Sequence, residues 1–173
     1  MKPNTTLASL RYLSGYPPQI QHQALALIEQ GRLAAYLLDK YPEAHQVRSE
    51  RALYDYVVEM KNRTMRKAPP VNKVLWDSKL HVIRNALGTH TFQSKVHGSK
   101  LRSSHEIRIG TVFRTAPDGF LRMIVVHELA HFKEKEHNKA FYNLCCHMEP
   151  DYHQLELDMR LYLTCLELGQ KLY

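Results

Sequence analysis

A chain of 173 residues with 44% hydrophobic and 24% charged side chains is long enough for one proper core, and its composition excludes the disordered and fibrous classes. No apolar run approaches the length that crosses a bilayer, and MKPNTTLASLRYLSGYPP lacks the apolar segment of a secretory signal; no membrane partner is expected, and the expected location is cytoplasmic. The net charge of +7 is uneven: residues 79–117 carry seven basic side chains against Glu106 alone, which favours an anionic partner there.

The N-terminal part reads as helices. QIQHQALALIEQGRLAAYLLDKY places apolar residues at Ile20, Ala24, Leu27 and Ile28, then at Leu33, Leu37 and Leu38, with Gly31 as the break and Pro42 as the end. A second helix starts near Ser49 and carries Leu53, Tyr56, Val57 and Met60 at helical spacing. Its end, KNRTMRK, puts positive charge where a helix C-terminus favours it. Ala68-Pro69-Pro70 then makes a natural boundary.

The middle reads as antiparallel strands. KVLWDSKLHVI sets an Asp77-Ser78 turn between two apolar arms, and HTFQSKVHGSKLR alternates through Phe92, Ser94 and Val96 before turning at Gly98. HEIRIGTVFR places Ile107, Ile109 and Phe113 on one side and Arg108 and Arg114 on the other, the period of a half-buried strand. After Pro117-Asp118-Gly119 the pattern turns helical, with Phe120, Ile124 and Leu129 on an apolar stripe. Two more helical patterns follow, Asn138 to Met148 and Asp151 to Leu168, with Pro150 suited to the first turn of the last. Helices, strands, then helices imply an α+β domain. Residues 1–68 form an N-terminal helical region and residues 69–173 the remaining domain, the two expected to make one compact unit. The three cysteines, Cys145, Cys146 and Cys165, are odd in number and form no Cys-x-x-Cys pair, so they read as small hydrophobes.

The chemistry concentrates in MIVVHELAHFKEKEHNKAF. Four residues advance a helix by about 400°, so His127 and His131 stack on one face and can bind one Zn²⁺ without moving the backbone. Glu128 lies about 100° round from His127, off the ligand stripe but within reach of a water on the metal, which is where a general base belongs. Six residues on, His137 would point away if the helix continued straight. The chain must therefore turn within Phe132 to Glu136, and Asn138 can cap a new helix just beyond. Failing that, His147, His153 or a downstream glutamate must complete the site. Of the other histidines, His22 and His45 are expected at the surface, while His81, His90, His97 and His105 lie on or beside the strands.

These residues resemble the YgjP-like metallopeptidase-domain family, whose core pattern is His-Glu-x-x-His, five residues, His, then an aromatic four residues later. Phe141 holds that aromatic place. NALGTHTFQSKVHGSKLRSSHEIRIGTVFR is similar to the family's sheet and PDYHQLELDMRLYL to its final helix, so residues 70 to 168 are covered; YLSGYPPQI and ALYDYVVEMKN are similar to a narrower bacterial group. The resemblance implies His127, His131 and His137 as zinc ligands and Glu128 as catalytic base. It also implies a zincin-like fold, a small antiparallel sheet packed on the metal helix. Thr89-His90 stands where many relatives carry Ser-Cys, so no role for that cysteine carries over. Metzincins share the ligand spacing but place a glycine where this chain has Glu134.

The family's name implies peptide hydrolysis, and members are also described as UTP pyrophosphatases, releasing UMP and diphosphate. The basic middle segment favours the nucleotide: a triphosphate needs cationic donors, and Arg108 and Arg114 are the expected substrate-binding pair. A second cation such as Mg²⁺ would help neutralise the diphosphate. A zinc metallopeptidase is the alternative. A zinc-clipped nucleic-acid-binding module explains the charge, but it leaves the position of Glu128 unexplained.

Overall fold

The computed structural model describes residues 7–79, 88–97 and 100–173, and the side chains of residues 10–79 and 104–173. The chain divides into two compact units: Met1–Ala44 with His153–Tyr173, and His45–Tyr152. Among the described residues, no helix is long and apolar enough to cross a membrane.

The first unit holds a 3-10 helix at Leu7–Leu13, then α1 (Pro18–Glu29), α2 (Leu33–Lys40) and most of α6 (Tyr152–Glu167). Pro18 opens α1, where its missing N–H costs nothing. Gly31, at φ 66°, makes the left-handed step between α1 and α2 that the sequence places there. Leu13, Ala24, Leu33, Leu37 and Tyr162 are buried in this unit.

The second unit carries α3 (Glu50–Thr64), β1 (Lys73–Asp77), β2 (Gly88–His97), β3 (Lys100–Gly110), α4 (Asp118–Ala130) and α5 (Lys139–Met148). Ser49 caps α3, its hydroxyl accepting from the Ala52 N–H at 3.1 Å, and Leu53, Val57 and Met60 are buried along one face as their spacing predicts. After β1, the Asp77 carboxylate accepts from the Lys79 N–H at 2.8 Å, which makes the expected turn. The second apolar arm after that turn, with His81, and the turn at Gly98 lie outside the described residues.

The α+β class holds, but the sheet is not antiparallel throughout. Its order is β1-β3-β2; β2 pairs antiparallel with β3, whereas β1 pairs parallel with β3, matching Val74 with Ile107 and Trp76 with Ile109. Alternation reveals that a segment is a strand and which face it buries, not which neighbour it joins; here β3 lies between β1 and β2 and pairs with both. In that register Val74, Trp76, Ile107 and Ile109 form one buried face. The opposite face carries an ion-pair row, with Arg108 joined to Asp77 at 3.0 Å and to Glu106 at 2.7 Å.

Two further corrections concern the ends of this sheet. The strand predicted through Phe113 stops at Gly110, and Thr111–Thr115 form a 3-10 helix. The four-residue step from Ile109 to Phe113 buries the ring as well in a helical turn as in a strand, and Phe113 is fully buried. Arg114 therefore does not share a strand face with Arg108; its Nε donates to the Arg48 carbonyl at 2.7 Å. His45, expected at the surface, is buried. Its Nε2–H donates to the Phe113 carbonyl at 2.7 Å and its Nδ1 accepts from the Val47 N–H at 3.0 Å, so both ring nitrogens have partners inside. Burial lowers its pKa, and the positive charge of Arg48 works in the same direction.

Candidate metal centre

The site is built on α4. Apart from Asp118 and Arg122 every residue of this helix is buried, so it is a core helix rather than a striped surface one. Its C-terminal turn carries His127 and Glu128, with relative exposures of 7% and 1%, and His131 follows as its C-terminal cap. Placing polar groups there requires partners, and the partners identify the chemistry.

After Ala130 the chain does turn. The N–H groups of Phe132 and Lys133 donate to the carbonyls of Leu129 and Ala130 at 3.0 and 3.1 Å, a tightened last turn. The chain then runs through residues 134–138 without helix, and Asn138 caps α5, its side chain accepting from the Phe141 N–H at 2.9 Å. The turn needs neither glycine nor proline because its polar groups are satisfied locally. The Glu134 carbonyl accepts from the Nδ1–H of His131 at 2.9 Å, so the loop is bonded to the histidine it follows.

The three rings converge. His137 Nε2 lies 3.1 Å from His127 Nε2 and 3.1 Å from His131 Nε2, and one nitrogen from each ring falls within 4.8 Å of the others. Nitrogens bound at about 2.05 Å in a tetrahedron lie roughly 3.3 Å apart, so these positions suit a common ion. A carbonyl only accepts, so His131 carries its proton on Nδ1 and turns a bare Nε2 lone pair toward His137. A single His137 Nε2–H can be aimed at one of its two neighbouring nitrogens, whereas one ion can be met by all three. Phe141 packs against all three rings, with centroids 4.7–4.9 Å away, and is itself fully buried. The aromatic four residues beyond His137 is thus the apolar floor that holds the imidazoles in place.

Glu128 completes the picture by what it lacks. Both carboxylate oxygens are buried and have no hydrogen-bond partner among the described residues, and burial pushes its pKa up to about 8. A carboxylate in that state is costly unless a nearby cation or a hydrogen-bonding water stabilises it. Three convergent imidazole nitrogens, with a buried carboxylate on the residue after the first ligand candidate, fit a divalent ion.

The other expected groups fall elsewhere. Arg108 lies on the sheet face opposite His105, and His105 is the β3 residue that stacks on Phe132 at 4.5 Å, beside the metal loop. The guanidinium of Arg108 is held by Asp77 and Glu106. Arg114 is exposed on the 3-10 helix. His147 and His153 are not among the converging ligands, and His22 is exposed as expected. Sequence reading did not single out Tyr152, whose hydroxyl lies 2.7 Å from His127 Nδ1. The available signal was its place on the buried stripe of the last helix with Leu155 and Met159, because a buried tyrosine hydroxyl needs a partner.

Comparison with known proteins adds two findings. The family described as YgjP-like, metallopeptidase domain, matches residues 19–161. A protein of Escherichia coli (strain K12) named UTP pyrophosphatase is 58% identical over 164 residues, covering 95% of this chain and 98% of that protein. No solved structure matches the chain.

Proposed function

The chain belongs to the YgjP-like metallopeptidase-domain family, and from that premise we propose that it is a zinc-dependent hydrolase of zincin-like fold that splits UTP into UMP and diphosphate. His127, His131 and His137 are the ligands and Glu128 is the general base. Three neutral imidazoles that leave one coordination position open suit catalytic zinc. The observation that carries the hydrolase is the orphaned Glu128 carboxylate one residue from a ligand. The 58% identity to a UTP pyrophosphatase supports the nucleotide as substrate.

Held by His127, His131 and His137, a divalent ion would acidify a water, stabilise charge on the attacked oxygen and favour the ionised form of Glu128 that burial opposes. Glu128 takes a proton from the attacking water as the oxygen bonds to the α-phosphorus. The bond from that phosphorus to the bridging oxygen breaks, and diphosphate leaves with the proton that Glu128 held. One water is consumed, and UMP and diphosphate are released. A second cation such as Mg²⁺ would help neutralise the charge of the diphosphate. Arg114, exposed, is the better of the two arginines to meet that group, since Arg108 already holds two carboxylates.

That engagement of Arg108 is the observation favouring the second reading, peptide hydrolysis, which needs no cationic pair and shares the same base and ligands. A nucleotide panel assayed for diphosphate release with zinc-loaded protein, beside a casein digest and Glu128→Gln, tests the two. Diphosphate from UTP that vanishes in Glu128→Gln is the expected result. Peptide cleavage with no diphosphate release would overturn the nucleotide assignment.

A further inference from the structure

We propose that Tyr152 is a positioning residue for the metal centre: its hydroxyl accepts from His127 Nδ1–H and so holds the ring with Nε2 free for the ion. This rests on the ligand assignment above.

The Nδ1···hydroxyl distance is 2.7 Å, and the two rings lie nearly parallel at 17°. Tyr152 is fully buried, so its hydroxyl cannot trade this bond for water. The two better-covered ligands are both braced at Nδ1, but by different means. His131 uses the Glu134 carbonyl, part of its own loop. His127 uses a side chain 25 residues further along the chain. His137, the exposed ligand, has no Nδ1 partner among the described residues.

The position of Tyr152 is itself built. Its N–H donates to the Glu149 carbonyl at 3.0 Å, and the Glu149 carboxylate accepts from the Asp151 N–H at 3.1 Å. The same carboxylate is paired with Arg122, which sits on α4 five residues before His127 and also holds Asp118 at 2.7 Å. The metal helix therefore grips the α5–α6 connection at one end and receives the tyrosine hydroxyl at the other. A hydroxyl that accepts from Nδ1 dictates which ring nitrogen is left for the ion.

Tyr152→Phe removes one oxygen and keeps the ring. Zinc affinity, measured by chelator competition on the full chain, should fall about 10–100-fold, the usual cost of losing such a partner. The cobalt-substituted protein should show a shifted visible spectrum. A variant that loses thermal stability but keeps zinc affinity within about twofold of the unsubstituted chain would reduce Tyr152 to a packing residue and overturn the proposal. The unsubstituted protein gives an independent reading should the variant fail to fold: in the ¹⁵N spectrum of zinc-loaded protein, His127 should show a slowly exchanging Nδ1–H. An Nε2–H tautomer would contradict it. If the unsubstituted chain binds no zinc, the ligand assignment itself fails; if it binds zinc and Tyr152→Phe binds equally well, only this inference fails.

Discussion

Asp158 in the first unit and Glu128 in the second are both shut away from solvent, at 0% and 1% exposure, yet they are treated in opposite ways. Asp158 accepts from Lys40 Nζ at 2.6 Å, the Tyr41 hydroxyl at 2.7 Å, Gln154 Nε2 at 3.1 Å and the Tyr36 hydroxyl at 3.3 Å. Glu128 accepts from no group among the described residues. Four donors around a buried carboxylate tie α1's neighbour α2 to α6 and leave that oxygen pair no freedom to react. A buried carboxylate with no donor among the described residues, on the residue next to one of three convergent imidazoles, suits the general-base role proposed for it. Burial alone does not mark a functional acid; satisfaction separates the two.

Substitutions can break or sharpen that contrast. The largest effect is expected at Glu128. Glu128→Gln should lower hydrolysis by about 10²–10⁴-fold, the usual weight of a general base, while metal analysis after dialysis finds zinc retained. Turnover within a few-fold of the unsubstituted enzyme would remove Glu128 from the mechanism. Asp158→Ala should do the reverse, costing about 1–2 kcal/mol in denaturant titration because it removes the acceptor that four donors share, while zinc content stays unchanged. A loss under about 1 kcal/mol would show that the four-donor network does little for the fold.

A smaller effect is expected at His45. Its folded pKa is depressed, so the unfolded chain takes up the proton first as pH falls below about 6.5. Stability contributed by the neutral ring is present above that pH and declines as pH falls toward the lowered folded value. Melting temperatures of the unsubstituted chain and His45→Gln between pH 5 and about 8 should therefore converge on the acid side. Parallel curves would contradict the buried neutral assignment. Least of all is expected at Arg108: with its carboxylate partners on the far sheet face, Arg108→Ala should move the KM for UTP by no more than about twofold and stability by under about 1 kcal/mol. A tenfold rise in KM would return Arg108 to the substrate.

What was legible in the sequence follows from the range of the interactions involved. His127, Glu128 and His131 lie within two helical turns, where geometry is fixed by the backbone, and Asn138 advertises the next helix by its own capping bond. Gly31 and Ser49 mark their boundaries for equally local reasons. The parallel pairing of β1 with β3 joins segments about thirty residues apart, and no alternation pattern encodes which strand lies beside which. Phe113 and Arg114 fit a strand and a 3-10 turn equally well, so the local signal could not choose. Tyr152 meets His127 across 25 residues of chain, and the partner of buried His45 is the Phe113 carbonyl 68 residues on, contacts that no local pattern encodes.

The central claim, three imidazole nitrogens on one ion with Glu128 outside its coordination shell, is tested most directly by X-ray absorption at the zinc edge of the loaded full chain. The account predicts three nitrogen scatterers of imidazole type at about 2.0–2.1 Å, at least one light oxygen, and a spectrum unaltered in Glu128→Gln. Failure to take up zinc, a sulfur scatterer from a cysteine, or loss of a ligand in Glu128→Gln would contradict it.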